Sequence, residues 1–168
     1  MARPRASHVL TPAGAPVGHH GAMAMKVVVG VDGSEGSRKA LRWAAAEATA
    51  RGDDLELVHV WEPPQAYAPF GLGAYPLDPE PIRDAAKSLL EGLVSEAREL
   101  TSGIDVRGEL VEGPPAQALL DHAGTADLLV VGSRGLGGFK SLLLGSVSQQ
   151  VVHHAPCPVV IVPGDESR

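Results

Sequence analysis

The sequence predicts an α/β protein: a single, open, doubly wound parallel sheet of five strands with helices on both faces. Short apolar, β-branched runs recur along the chain as "KVVVGV", "LELVHVW", "VRGELVE", "DLLVVGS" and "PVVIVP". Most of them lack the polar–apolar alternation of a half-solvated strand, as expected for strands covered on both sides. Between them lie segments whose apolar residues repeat at helical spacing, so the order from Lys26 onward is βαβαβαβαβ. Strands alternating with helices in this way pair in parallel, with the helices packed on the faces.

The elements follow in order. "KVVVGV" is the first strand, and Ser34 or Ser37 caps the helix after it. Within that helix Leu41, Ala44, Ala45 and Ala48 share a face, and Gly52 supplies a stop. "LELVHVW" is the second strand. The next helix runs from Pro81 to Leu100, with Ile82, Ala86, Leu89, Leu90, Leu93, Ala97 and Leu100 on its apolar stripe. After the third strand, "VRGELVE", Pro114 or Pro115 opens a short helix through Leu119 and Leu120, since proline is tolerated in a first turn. "DLLVVGS" is the fourth strand. A helix carrying Val147 and Val151 follows Ser146, and "PVVIVP" closes the fold.

Composition bounds the function. With 168 residues and 44% hydrophobic content, the chain can bury one proper core. We read residues 25–164 as that domain, residues 165–168 as a C-terminal tail and residues 1–24 as a flexible N-terminal extension. The opening stretch is rich in Ala, Pro and Gly, has no apolar run of signal-peptide length, and offers no carboxylate or thiolate beside His8, His19 and His20. A net charge of −6 argues against a general nucleic-acid binder, which needs a basic surface. No apolar stretch is long enough to span a bilayer, so no membrane role is expected. The single cysteine, Cys157, allows no intrachain disulfide and suits a reducing, cytoplasmic setting.

Two glycine-rich loops stand out, "VDGSEGS" after the first strand and "VGSRGLGGFKSLLLGS" after the fourth. In a doubly wound sheet, ligands bind beyond the carboxyl ends of the strands, where the strand order reverses. If strands one and four are neighbours, the loops after Val31 and Val131 meet there. Glycine lets backbone approach a ligand and aim N–H groups at an anion, and a helix N-terminus adds partial positive charge. The anion this suits is a phosphate.

The second loop reads Gly132, two residues, Gly135, nine residues, then Gly145–Ser146, at the end of an apolar strand. That arrangement resembles the ATP-binding signature of the universal stress protein family. "VGVDGS" with Asp32, "LVHVWEP" with His59 and Val60, and "HHAPCPVVIV" are similar to other segments of that family, so the resemblance covers residues 25–163. It implies the family's Rossmann-like fold and an adenine-nucleotide site. Gly132, Gly135, Gly145 and Ser146 would surround ribose and phosphates, and Val31, Val60 and Val131 would wall the adenine. Asp32 would be repelled by a bare phosphate; a ribose hydroxyl or a Mg²⁺ bound with ATP suits it better. Arg134 and Lys140 lie in the loop but are not required by the motif. The resemblance also implies a homodimer through the last strand, Val159, Val160, Ile161 and Val162, which is apolar on both faces and expected at a sheet edge.

Each residue has a plainer role beside the functional one. The glycines suit tight turns and Asp32 suits a turn cap. His59 suits a hydrogen bond beside the sheet, His153 and His154 the negative end of a helix, and Cys157 a small packed side chain. Prolines at 63, 64, 69, 76, 79 and 81 exclude regular structure over most of residues 62–81. Tyr67, Phe70 and Tyr75 in that stretch suit either a lid over a base or an excursion without ligand contact. There is no Walker A sequence, HExxH, CxxC or dominant Ser–His–Asp set. The leading reading is a nucleotide-responsive regulatory module with a downstream protein partner that the sequence leaves unknown. The alternatives are a slow ATPase and an interaction module of the same fold without nucleotide.

Overall fold

The structure is a computed structural model that describes residues 24–63, 78–136 and 144–164, with the backbone of 8–10, 65–67 and 74–76. Its strands are β1 (His8–Leu10), β2 (Lys26–Gly30), β3 (Asp54–Trp61), β4 (Gln65–Tyr67), β5 (Ala74–Pro76), β6 (Val106–Glu112), β7 (Leu128–Gly132) and β8 (Val159–Val162). The helices are α1 (Glu35–Arg51), α2 (Glu80–Leu100), α3 (Pro115–Ala123) and α4 (Ser146–His154). The main sheet has the order β1-β6-β3-β2-β7-β8. The five strands from β6 to β8 are parallel, as the sequence predicts.

Strand alternation sorts the core into two layers. Val27 and Val29 point into the layer under α1 and α2, and Val28 into the layer under α3 and α4. All three are at most 2% exposed, and each such valine contributes about 1.5–3 kcal/mol of burial. On α1 the buried stripe is Ala40, Leu41, Ala44, Ala45 and Ala48, whose small side chains bring the helix close to the sheet. Ser34 caps it by accepting a hydrogen bond from the Ser37 N–H, and Gly52 ends it with φ 75°. Helix and sheet also approach closely at Gly108 of β6, where an added Cβ would lie 2.6 Å from Val94 Cγ2 of α2.

Three features depart from the sequence reading. His8–Leu10, from the extension, pairs antiparallel with Gly108–Leu110 and gives the sheet a sixth strand. Within 62–81, β4 and β5 form a small antiparallel ladder, with Pro76 opposite Gln65 at its end, where a proline removes no interior bond. Ile82 and Leu100 lie at the two ends of α2 beyond the packed stripe and are 43% and 47% exposed.

What matters for a ligand is that β2 lies between β3 and β7. The connection leaving β2 runs to one side of the sheet and that leaving β7 to the other. The strand order therefore reverses at the β2/β7 junction, and the two glycine loops emerge side by side.

Candidate functional site

A cleft of about 490 Å³ opens at this junction, within the size range of small-molecule sites. Its lining includes every residue that the sequence reading assigns to the nucleotide: Val31, Asp32, Val60, Val131, Gly132, Gly135, Gly145 and Ser146. One end is apolar. Val31 and Val131 are each 5% exposed at the strand ends, and Val58, Leu119 and Pro115 complete that wall. Behind it the His59 ring holds the Val31 carbonyl at 2.8 Å. A carbonyl only accepts, so Nδ1 carries the proton, and His59 fixes the end of β2 in the structural role expected of it.

The loop after β2 is closed on itself and on its neighbour. Asp32 Oδ1 accepts the Ser34 N–H at 2.9 Å, and Oδ2 accepts the Leu136 N–H from the other loop at 3.0 Å. Burial pushes the Asp32 carboxyl up, but hydrogen bonds from the Ser34 side chain and backbone, Ser37 and the Leu136 backbone outweigh it and hold the group below its ordinary value. The glycines make the interlock possible. A Cβ on Gly36 would stand 2.6 Å from the Arg134 carbonyl oxygen, and one on Gly132 would stand 2.9 Å from the Gly36 carbonyl. A Cβ on Gly135 would overlap Asp32 Oδ2.

The loop after β7 leads into an open helix end. The Gly145 N–H donates to the Ser133 carbonyl at 2.8 Å, and the Ser148 hydroxyl bridges the Ser133 and Gly145 carbonyls at 2.9 and 3.0 Å. Gly145 is the N-cap of α4 and provides no side-chain cap. The first-turn N–H groups of α4 have no intrahelical partner, and Ser146, Val147 and Ser148 all line the cleft. Gly145 itself differs from Gly132 and Gly135. A Cβ there would meet nothing nearer than 3.6 Å, and packing alone does not require a glycine at that position.

The donor set is thin for a protein-held Mg²⁺. Asp32 is the one carboxylate among the described lining residues, and each of its oxygens already accepts an amide. One carboxylate suffices only when phosphates and waters complete the shell. Of the two loop cations, Arg134 lines the cleft, and Lys140 lies outside the described residues. Tyr67 and Tyr75 fall in β4 and β5, while their side chains and Phe70 lie outside the description.

Sequence reasoning did not assign Gly36, Ser37, Val58, Pro115, Leu119, Leu136, Leu144, Val147 or Ser148 to the site. Proximity in sequence to Gly145–Ser146 was the available signal for Leu144, Val147 and Ser148, while Pro115 and Leu119 arrive from α3 through packing alone. Cys157, whose thiol pKa is raised chiefly by burial, packs against the core layer under α3 and α4. His153 and His154 end α4.

The parallel sheet with helices on both faces and a crevice at its switch point define a protein of the doubly wound α/β class. The chain belongs to the universal stress protein family, whose model matches residues 23–163. It is 42% identical over 142 residues to a universal stress protein of Thermus aquaticus, covering 81% of this chain and 96% of that one. A Mycolicibacterium smegmatis universal stress protein is 35% identical over 143 residues, covering 83% of this chain and 48% of its own, so the chain spans about half that relative's length. Among solved structures, a universal stress protein in complex with cAMP superposes with a TM-score of 0.64 at 29% identity, covering 83% of this chain and 97% of that one. One from Archaeoglobus fulgidus in complex with dAMP gives 0.62 at 27% identity, covering 84% and 99%. Among the described residues no helix is long and apolar enough to cross a membrane.

Proposed function

We propose that the protein binds ATP in the β2/β7 cleft and acts as a nucleotide-responsive regulatory module rather than as a catalyst. The observation that carries this reading is the uncapped first turn of α4, opening into the same cleft as the apolar wall of Val31, Val60 and Val131. Adenine packs against that wall, and the phosphates take the first-turn N–H groups of α4, from Ser146 onward, and the Ser146 hydroxyl. Gly132 and Gly135 shape the loop, and Asp32, with its remaining lone pairs, accepts a ribose hydroxyl. Mg²⁺ arrives on the phosphates. The nucleotides in the neighbouring structures, cAMP and dAMP, support the adenine and ribose part of this reading.

The test is calorimetric titration with ATP, ADP, AMP and cAMP, comparing the wild type with Gly145→Val. Gly132→Val is a poor probe because its side chain strikes the Gly36 backbone. The expected result is one saturable ATP site, weakened at least about tenfold (about 1.4 kcal/mol) in Gly145→Val with circular dichroism unchanged. Tighter binding of AMP or cAMP than of ATP replaces the ATP reading, and no heat with any nucleotide rejects it in favour of an interaction module.

The same reading includes a homodimer through β8. That strand ends the sheet, and Val159, Val160, Ile161 and Val162 are only half-buried. The nucleotide loop is tied to it, since the Ser133 N–H donates to the Val162 carbonyl at 2.8 Å and the Gly164 N–H to Ser133 Oγ at 3.1 Å. A change in the loop on binding therefore reaches the edge strand and, through the dimer, a downstream protein. Ile161→Lys is expected to give a monomer by light scattering; an intact dimer removes β8 as the interface.

A further inference from the structure

At the end of α3 away from the cleft, side chains from four elements converge. His122 Nδ1 lies 2.8 Å from Glu56 Oε1 of β3 and 3.8 Å from Glu109 Oε2 of β6. Lys26 of β2 reaches Glu56 Oε2 at 3.0 Å and also donates to Thr125 Oγ1 at 3.3 Å. One ligand atom from each of Glu56, Glu109 and His122 falls within 4.8 Å of the others. The three side chains are 14%, 17% and 16% exposed, so they are shielded yet within reach of solvent.

The nucleotide reading uses none of these groups. We propose that Glu56, Glu109 and His122 form a site for a borderline divalent transition metal, Zn²⁺ being the natural probe, which fastens the C-terminal end of α3 to β3 and β6. The geometry fits such an ion. Tetrahedral zinc with bonds of about 2.0–2.2 Å separates its ligand atoms by about 3.3–3.6 Å. The two separations from His122, 2.8 and 3.8 Å, bracket that span, and all three ligand atoms lie within 4.8 Å of one another, so side-chain adjustments bring them to it. The donor chemistry discriminates between metals. One imidazole nitrogen beside two carboxylates suits Zn²⁺ and its neighbours, whereas Mg²⁺ and Ca²⁺ prefer all-oxygen shells.

Lys26 is the apparent competitor, but it bonds the Glu56 oxygen that faces away from His122. It leaves Oε1 to the metal and fixes the carboxylate from behind, as outer-shell partners of metal ligands do. Its charge works against the ion, as does the proton that otherwise sits between His122 and Glu56. Affinity is accordingly expected in the micromolar range, far from the tightness of a thiolate site. With three protein ligands, water completes the shell.

The test uses the full chain carrying His8→Gln, His19→Gln, His20→Gln, His153→Gln and His154→Gln, which removes the histidines most apt to bind metal adventitiously. The protein is stripped with EDTA and titrated with ZnCl₂ by calorimetry and by thermal melting, with MgCl₂ as the control. The expected result is one saturable Zn²⁺ equivalent with a raised melting temperature and no matching effect of Mg²⁺. Glu109→Gln keeps the shape of the side chain, and it is expected to weaken Zn²⁺ binding at least about tenfold with metal-free circular dichroism unchanged. Titration with CoCl₂ gives an independent readout, because visible absorption of a low-coordinate Co²⁺ should appear in the parent and vanish in Glu109→Gln and His122→Gln. Absence of a saturable equivalent, or binding indifferent to Glu109→Gln, overturns the proposal and leaves the cluster as an ion-pair clamp on α3.

Discussion

The loop after β2 and the loop after β7 are alike in sequence: each follows an apolar strand, carries glycines and serines, and leads into a helix. Their helix ends differ. At α1 the N-cap serine, Ser34, bonds the Ser37 N–H, and the acidic Glu35 sits in the first turn, so that end is satisfied and unattractive to an anion. At α4 the cap is a glycine without a side-chain bond, and the first turn carries no acidic residue. The first loop is thus a brace, reaching across through Asp32 to hold Leu136. The second, held by that brace, keeps its N–H groups for a ligand. On the proposed function, a pair of glycine loops is needed because an open helix end must be supported by something that is not itself open.

The largest expected effect breaks the brace. Gly36 lies within α1, where alanine normally gains up to about 1 kcal/mol. Its Cβ, however, would stand 2.6 Å from a backbone carbonyl that cannot rotate away, and overpacking of this kind costs about 1–3 kcal/mol. The clash should win, leaving Gly36→Ala destabilised by about 2 kcal/mol in urea unfolding. A variant as stable as wild type would mean that the loops are not interlocked.

Asp32→Asn should come next, at about 1–2 kcal/mol, since it weakens hydrogen bonds accepted by a charged group that is only partly buried. The sign of the pH dependence follows from the lowered carboxyl. A native group held below the ordinary 3.8 contributes stability that is complete above that value and is lost as pH falls through the native one. Acidification through this window should therefore narrow the gap between wild type and Asp32→Asn. A constant gap in unfolding free energy would show that the charge is not what holds Leu136.

The smallest effects sharpen the comparison by exchanging its two halves. Ser34→Ala removes a helix cap and should cost about 1 kcal/mol of stability. Ser146→Ala touches no cap and should leave stability within about 0.5 kcal/mol, while weakening ATP by roughly fivefold through one lost hydrogen bond. Thermal melting and calorimetry on both variants test this. Equal effects of the two serines on stability would erase the distinction between brace and site.

Much of this was legible because local chemistry is written locally. The Ser34 cap, the Gly52 stop and the start of α4 at Ser146 follow from residues within a turn of each other. The glycine spacing marked the site for the same reason. Ile82 and Leu100 misled because a periodic stripe does not say how far the sheet beneath it extends. Gly36 gave no signal, since a backbone oxygen approaching from Arg134 leaves no trace in its own neighbourhood.

The sequence by itself determined the order of strands and helices, their approximate ends and the positions of the two glycine loops, because hydrophobic period and capping act over a few residues. Only the tertiary structure decided that β2 lies against β7, that Asp32 holds Leu136 and that Pro115 and Leu119 of α3 wall the cleft. It alone joined Glu56, Glu109 and His122, and paired His8–Leu10 with the edge of β6. These are choices among backbone and side-chain partners far apart in the chain, settled by which arrangement buries the apolar faces while satisfying the polar groups that burial encloses.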